Sequence, residues 1–174
     1  EQGDGWYVQL REGHVQVNLV KRWLDDSMRV ESIETIPANR WTHVAFTYDG
    51  SRLAKGLKLY LVGGNRENAL VPLLERGAQP APVNVHLDFL NQSFTTKEPL
   101  RVGGGGGPAG RFNGILDEVQ VFGRVLEPQE IDIVATTESI REIATTPLEN
   151  RTVGQQLKLS ACYLETAADK QVRD

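Results

Sequence analysis

The sequence predicts an all-β protein, an antiparallel β-sandwich followed by a C-terminal helical extension. From Trp6 to Phe122 the apolar residues recur with period two, which is typical of half-buried strands. Glycine, proline, asparagine and aspartate separate these runs at short intervals and leave no helical stretch between them. After Phe122 the apolar spacing lengthens to three or four residues, which indicates helices.

The first two strands are predicted to form a hairpin around Glu12-Gly13, because this pair separates two alternating runs. With Glu12-Gly13 as a two-residue loop, Leu10 faces Val15 and the register of the whole hairpin follows. Val8 then faces Val17, and Trp6 faces Leu19.

Further short strands follow, and seven or eight strands without intervening helices predict two antiparallel sheets packed face to face. The predicted strands are Met28 to Ile33, Trp41 to Tyr48, Leu57 to Val62, Val83 to Phe89, Leu100 to Val102 and Ile115 to Phe122.

The last part of the chain is predicted to be helical. Pro128 suits a first helical turn, a second helix follows Thr137, and Thr152 to Gln155 form a capping box that begins a third. We therefore predict a sandwich domain over residues 1–126 and a helical extension, or the start of the next domain, over residues 127–174.

Composition excludes several classes of function. The chain has 174 residues and a net charge of −4, which argues against a nucleic-acid surface. No apolar run approaches the ~20 residues of a membrane span, and the N-terminus does not resemble a signal peptide. Cys162 is the only cysteine, and His14, His43 and His86 lack metal-ligand spacing.

The stretch NRWTHVAFTYDGS, residues 39–51, brings His43, Asp49 and Ser51 together in sequence. A catalytic triad needs its serine beside the histidine, whereas an extended strand would hold these two residues ~25 Å apart. We interpret the stretch as a strand that ends in an Asp-Gly turn.

Four segments carry a family resemblance: N-R-W-T-H-V-A-F-T-Y-D-G, G-L-K-L-Y-L-V-G-G, P-L-R-V-G-G and F-N-G-I-L-D-E-V-Q-V-F-G-R-V-L-E-P-Q-E-I. In this order they resemble the laminin G-like, concanavalin A-like jelly-roll family. The resemblance implies a jelly-roll sandwich and covers Asn39 to Ile131 closely and Gly5 to Pro37 more loosely.

The flanking segments G-W-Y-V-Q-L-R-E-G-H-V-Q-V-N-L-V and S-I-R-E-I-A-T-T-P-L-E-N-R-T-V-G-Q-Q-L-K-L resemble large bacterial multidomain proteins of the planctomycete cytochrome c type. This implies an extracytoplasmic location, periplasmic or secreted. The chain lacks Cys-x-x-Cys-His and so would carry no haem itself. The family has further strands before Gly5, so we expect a fragment with an open sheet edge.

The resemblance suggests calcium as a cofactor, since some laminin G-like domains bind calcium at the rim of the sandwich. Asp49 and Asp117 are the candidate ligands. By parity with Ile115 and Val119, Asp117 should face the core, where a structural aspartate satisfied by hydrogen bonds is the alternative.

The spacing of the carboxylates argues against glycoside hydrolysis by this chain. Glycosidases on this fold need two carboxylates facing one cleft, which on a strand means i, i+2 spacing. Asp117 and Glu118 are adjacent, and Glu31 and Glu34 are three apart.

The outward face of the first hairpin is the candidate ligand surface. Aromatic rings with amide donors suit a sugar, but they also suit an interdomain contact or a solvated face. The candidate residues are Tyr7, Gln9, Gln16, Asn18 and Trp23. We predict a non-catalytic module that binds carbohydrate or protein, with a glycoside hydrolase and a structural spacer as alternatives.

Overall fold

The computed structural model describes residues 4–22, 24–63, 77–93, 96, 99–104 and 110–167. Within these ranges the chain forms six strands and three α-helices, with two short 3-10 helices at Ala54–Gly56 and Leu148–Asn150. The strands are β1 (Gly5–Arg11), β2 (His14–Arg22), β3 (Asp26–Thr35), β4 (Thr42–Tyr48), β5 (Leu57–Gly63) and β6 (Val83–Phe89). The helices are α1 (Pro128–Ala135), α2 (Ile140–Thr145) and α3 (Val153–Thr166).

The chain divides into two compact units. The first, the sheet unit, consists of Glu1–Ala38, Phe46–Leu59 and Ala81–Val125. The second, the helical unit, consists of Asn39–Ala45, Tyr60–Pro80 and Leu126–Asp174. Strands β1, β2, β3 and β6 form a four-stranded antiparallel sheet in that order, and β4 pairs with β5 in a two-stranded sheet. The predicted boundary between residues 126 and 127 stays a prediction.

The predicted register of the first hairpin is confirmed. Leu10 lies opposite Val15, and the pairing continues to Gly5 opposite Val20. Glu12 and Gly13 both have positive φ, as a tight two-residue hairpin turn requires. A Cβ on Gly13 would also lie 3.3 Å from the Thr35 Cβ, so glycine is favoured there by space as well as by conformation.

The predicted sandwich of two large sheets is wrong, and the fold is mixed α/β. Leu100–Val102 and Ile115–Phe122, predicted as strands, are not strands in the structure. Ile115 is 77% exposed and Val121 is 64% exposed. Alternation predicts which way side chains would point in a strand, but a strand also needs a neighbour that accepts its backbone hydrogen bonds. No neighbouring strand pairs with these segments in the described part of the chain.

One face of the four-stranded sheet is apolar and forms the core of the sheet unit. At its centre Val17 and Val30 face each other across β2 and β3 and are fully buried. Burying such a side chain contributes ~1.5–3 kcal/mol relative to leaving it exposed. On β1, at the sheet edge, Trp6 remains 42% exposed and packs against Phe46 with ring centroids 5.6 Å apart.

The helical unit has a separate small core. Tyr60, Ala78 and Ile131 are buried together, with Ala45 and Leu126 packed against them. All three helices begin with a capping box, including the predicted one at Thr152 and Gln155 and the one that precedes Pro128.

Helices α1 and α3 approach closely at Gly154. A Cβ there would lie 2.4 Å from Thr136 Oγ1 and 2.9 Å from the backbone oxygen of Asp132. Any larger residue at this position would push the two helices apart. No helix in the described ranges is both long enough and apolar enough to cross a bilayer.

Candidate functional site: a polar strip across the sheet

The face of the sheet opposite the apolar core carries a row of polar side chains from four strands. The register sets these side chains in two lines: Tyr7 lies opposite Asn18, which lies opposite Arg29, while Gln9 lies opposite Gln16, which lies opposite Glu31. His86 on β6 reaches the end of the second line. We call these residues the polar strip: Tyr7, Gln9, Gln16, Asn18, Arg29, Glu31 and His86.

Gln16 is the centre of the hydrogen bonding in the strip. Its Oε1 accepts from Gln9 Nε2 at 2.8 Å and from Asn18 Nδ2 at 3.2 Å. Its Nε2 donates to Glu31 Oε2 at 2.7 Å. One amide therefore links three strands through side chains alone.

Two further contacts close the ends of the strip. Asn18 Oδ1 accepts from Arg29 Nε at 3.1 Å. His86 Nε2 lies 3.3 Å from Glu31 Oε1, a distance at which a ring N–H donates to the carboxylate. His86 lies within reach of Glu31 next to a register shift between β3 and β6 at Arg29 and Val30.

The floor of the strip is buried although it is polar. Asn18 is 0% exposed and Gln16 is 1% exposed, because longer side chains on β1 and β3 flank them on both sides. Gln9 and His86, at the two ends, are exposed. A buried amide is tolerated only when its hydrogen bonds are made, so the network is the reason that polar residues can occupy these positions.

The electrostatics of the strip follow from the same contacts. Desolvation acts to raise the pKa of Glu31, but hydrogen bonds from Gln16 and His86, with the charges of His86 and His14, outweigh it and the pKa is lowered. Partial burial raises the pKa of the Tyr7 phenol, against the opposing effect of the nearby Arg29 charge. At neutral pH, Glu31 is therefore a carboxylate and Tyr7 a neutral phenol.

The structure brings together four of the five ligand-binding candidates. Tyr7, Gln9, Gln16 and Asn18 all belong to the polar strip, whereas Trp23 lies outside the described residues. The face was predicted to be outward and open, but Gln16 and Asn18 are buried in its floor.

Three residues of the strip were not predicted from the sequence: Arg29, Glu31 and His86. The sequence carried a signal for two of them, because Arg29 and Glu31 alternate with the buried Met28 and Val30. Such i, i+2 spacing places a guanidinium and a carboxylate on one face. His86 had no comparable signal, since the pairing of β3 with β6 is not local in sequence.

The two calcium candidates occupy exposed positions. Asp49 Oδ1 accepts from the backbone N–H of Ser51 at 2.8 Å, and hydrogen bonds from the Ser51 hydroxyl and backbone hold the pKa of Asp49 below its usual value. Asp117 is exposed, not directed to a core, and its Oδ1 accepts from the N–H of Glu118 at 2.8 Å. The core-facing position was expected from a strand that does not form.

No calcium-binding cluster is apparent around these two aspartates. Across the described ranges, no three histidine, cysteine, aspartate or glutamate side chains are grouped so as to hold a metal ion. Calcium binding by Asp49 and Asp117 stays a prediction.

Comparison with known proteins assigns neither a family nor a function to this chain. Neither the protein-family models nor the curated proteins nor the solved structures give a significant match to this chain. The laminin G-like resemblance therefore stays a prediction, and the polar strip has to be interpreted from its own chemistry.

Proposed function

We propose that the sheet unit is a non-catalytic recognition module that binds carbohydrate on the polar strip. The observation that carries the proposal is the ordered row of side-chain amides that Gln16 holds together across β1, β2 and β3. On an ordinary solvated sheet face, polar side chains are exposed and bond to water. Here the central amides are fixed and buried, while the ends of the row stay accessible.

The chemistry of the strip matches what a sugar offers. Amide groups and a phenol present fixed hydrogen-bonding partners for hydroxyl groups, and the Tyr7 ring adds apolar surface. The two charged residues, Arg29 and Glu31, are both engaged by amides of the strip. A surface prepared in this way needs little ordering when a ligand arrives, which favours binding.

The second candidate is a contact with another protein or with a neighbouring domain of a larger protein. The observation that favours it is the exposed apolar side of β1, where Trp6, Val8 and Leu10 are each at least 40% exposed. That side of the sheet is opposite to the polar strip, so variants on the two faces separate the candidates. In keeping with the family resemblance, we place the module in an extracytoplasmic bacterial protein.

The test is a glycan array probed with this chain and with two matched variants, beside a reducing-sugar release assay. Gln9→Ala alters the exposed end of the strip, while Gln129→Ala changes another exposed glutamine, on α1. We expect binding by the wild type and by Gln129→Ala, binding at least about fivefold weaker for Gln9→Ala, and no sugar release. Sugar release would instead support the hydrolase alternative, and an empty array would leave the protein contact as the better candidate.

A further inference from the structure

Two exposed parts of the sheet unit have the features of strands that lack a neighbour. The first is β1, which lies at the edge of the four-stranded sheet and pairs only with β2 among the described residues. The second is the apolar segment, residues 115–125, which has no strand pairing in the described part of the chain. Its exposed apolar side chains are Ile115, Leu116, Val119, Val121, Phe122 and Val125. An open sheet edge and an extended apolar segment both favour the addition of a strand.

The conformation of Glu118 keeps the apolar segment from being a strand in the single chain. Glu118 has a φ of 53°, in the left-handed region that a residue other than glycine seldom adopts. Its backbone N–H donates to Asp117 Oδ1 at 2.8 Å, a local contact that takes the place of a hydrogen bond to a neighbouring strand. Both residues are exposed, so the segment can straighten onto a partner without disturbing a core.

One antiparallel register matches β1 to the apolar segment over four successive pairs. Two pairs are apolar, one joins two amides and one joins opposite charges. The pairs are Val8 with Val121, Gln9 with Gln120, Leu10 with Val119 and Arg11 with Glu118. Cross-strand pairs of compatible side chains are what stabilises one strand against the next.

The neighbouring registers match less well. A slip of two residues in one direction places Leu10 opposite Asp117, and a slip of two in the other direction places Val8 opposite Gly123. A slip of one residue would move Val119 and Val121 to the polar face of the sheet. The two elements are therefore complementary in length, polarity and charge in one register.

We infer that the β1 edge binds a second copy of this chain, whose apolar segment adds to the sheet as an antiparallel fifth strand. Each chain carries both elements, and the structure does not pair them with each other within the described residues. Two copies related by a twofold axis satisfy both elements, because the same contact then forms twice. The inference is independent of carbohydrate binding, and it names a partner for the exposed apolar side of β1.

Sedimentation of the whole chain and of charge variants tests the inference. We expect the mass to rise from 19.3 kDa towards twice that value between about 1 µM and about 300 µM protein. Arg11→Glu and Glu118→Arg each place like charges opposite each other at both contacts, so each should weaken self-association about tenfold or more. Glu34→Arg, which changes an exposed glutamate on β3 by the same charge as Glu118→Arg, should associate as the wild type does.

Mixing the two variants shows whether the paired strands belong to different copies. In a dimer of one Arg11→Glu chain and one Glu118→Arg chain, one contact joins the two introduced charges and the other keeps the native pair. An equimolar mixture should therefore associate to within about twofold of the wild type, and so should the double variant. A contact within one chain cannot be restored by mixing. All three substituted positions are exposed, and unchanged urea midpoints check that the variants are folded.

Each other result would overturn the inference. A chain that stays monomeric at the highest concentration would do so and leave the carbohydrate function untouched. A dimer that neither charge variant weakens would use another surface. Weakening by both variants without recovery in the mixture would contradict the pairing of Arg11 in one copy with Glu118 in the other.

Discussion

Each of the two units holds a largely buried carboxylate, and the two carboxylates respond to burial in opposite ways. In the sheet unit, Glu31 receives hydrogen bonds from Gln16 and His86, and its pKa is lowered. In the helical unit, desolvation dominates at Asp132, which accepts from the backbone N–H of Ala78 at 2.8 Å, and its pKa is raised. The supply of donors, more than burial alone, decides the sign.

The two carboxylates also differ in their surroundings, since Glu31 lies on a sheet face and Asp132 lies in the helical core. Glu31 lies in the polar strip, between the buried Gln16 amide that donates to it and the exposed His86. Asp132 lies in the helical core, where its carboxylate accepts a hydrogen bond from Ala78 and so links the Gly77-Ala78 backbone to α1. Lys158 supports the same region, since its Nζ donates to the backbone oxygen of Thr136, which caps α1, and to that of Glu138 just beyond the helix.

The largest loss of stability is expected from replacing Gln16, the central residue of the hydrogen-bond network in the sheet unit. Gln16→Leu removes three hydrogen bonds at once and leaves the buried Asn18 amide without one acceptor and the Glu31 carboxylate without one donor. We expect a loss of about 3–4 kcal/mol in the free energy of unfolding, since buried unsatisfied groups cost about 1–3 kcal/mol each. Urea denaturation measures the loss.

Gln92→Leu is the matched control, because Gln92 is exposed in the same unit. It should change the free energy of unfolding by less than about 0.5 kcal/mol. If Gln16→Leu were as mild as this control, the strip would be an ordinary solvated face.

The second largest loss of stability is expected at Asp132, which accepts the hydrogen bond from Ala78 in the helical unit. Asp132→Ala leaves the buried N–H of Ala78 without its acceptor and opens a small cavity beside α1. We expect a loss of about 2 kcal/mol. Asp132→Asn, which keeps an acceptor oxygen of the same size, should lose less than about 1 kcal/mol. Equal losses in the two variants would show that the hydrogen bond to Ala78 is not the source of the stability.

The sequence predicted the elements of the sheet unit that depend on local pattern. The hairpin of β1 and β2 followed from alternation and from the Glu12-Gly13 turn, and this hairpin carries four of the seven residues of the polar strip. Arg29 and Glu31 join the strip through the pairing of β3 with β2, and His86 joins it through the pairing of β3 with β6, two strands that lie far apart in sequence and meet through a register shift. No local periodicity contains that information.

The same limit explains the wrong fold class. Ile115–Phe122 has apolar residues at alternate positions (Ile115, Val119 and Val121), so its pattern predicted a strand, yet it pairs with no strand in the described residues. In the helical unit, by contrast, the capping box at Thr152 and the position of Pro128 were predicted and confirmed. Helix signals are local because the backbone bonds of a helix stay within it, whereas a strand depends on a distant partner.

The smallest effect is a difference in pH dependence between the two carboxylates. The folded pKa of Glu31 is lowered, so its contribution to stability is present above the unfolded pKa and is lost as the pH falls through the folded value. The folded pKa of Asp132 is raised, so the native state binds that proton more tightly. Its effect has the opposite sign: stability falls as the pH rises from the unfolded towards the folded value.

Urea midpoints measured between about pH 3 and about pH 7 for the wild type, Glu31→Gln and Asp132→Asn separate these contributions. Glu31→Gln should lose less stability on acidification than the wild type does, because the carboxylate that must be protonated is gone. Asp132→Asn should lose more, because the wild type gains stability from protonating Asp132 and the amide cannot. Parallel pH profiles for the two variants would mean that both carboxylates sit in equivalent surroundings, and the contrast between the donor-rich strip and the donor-poor helical core would fail.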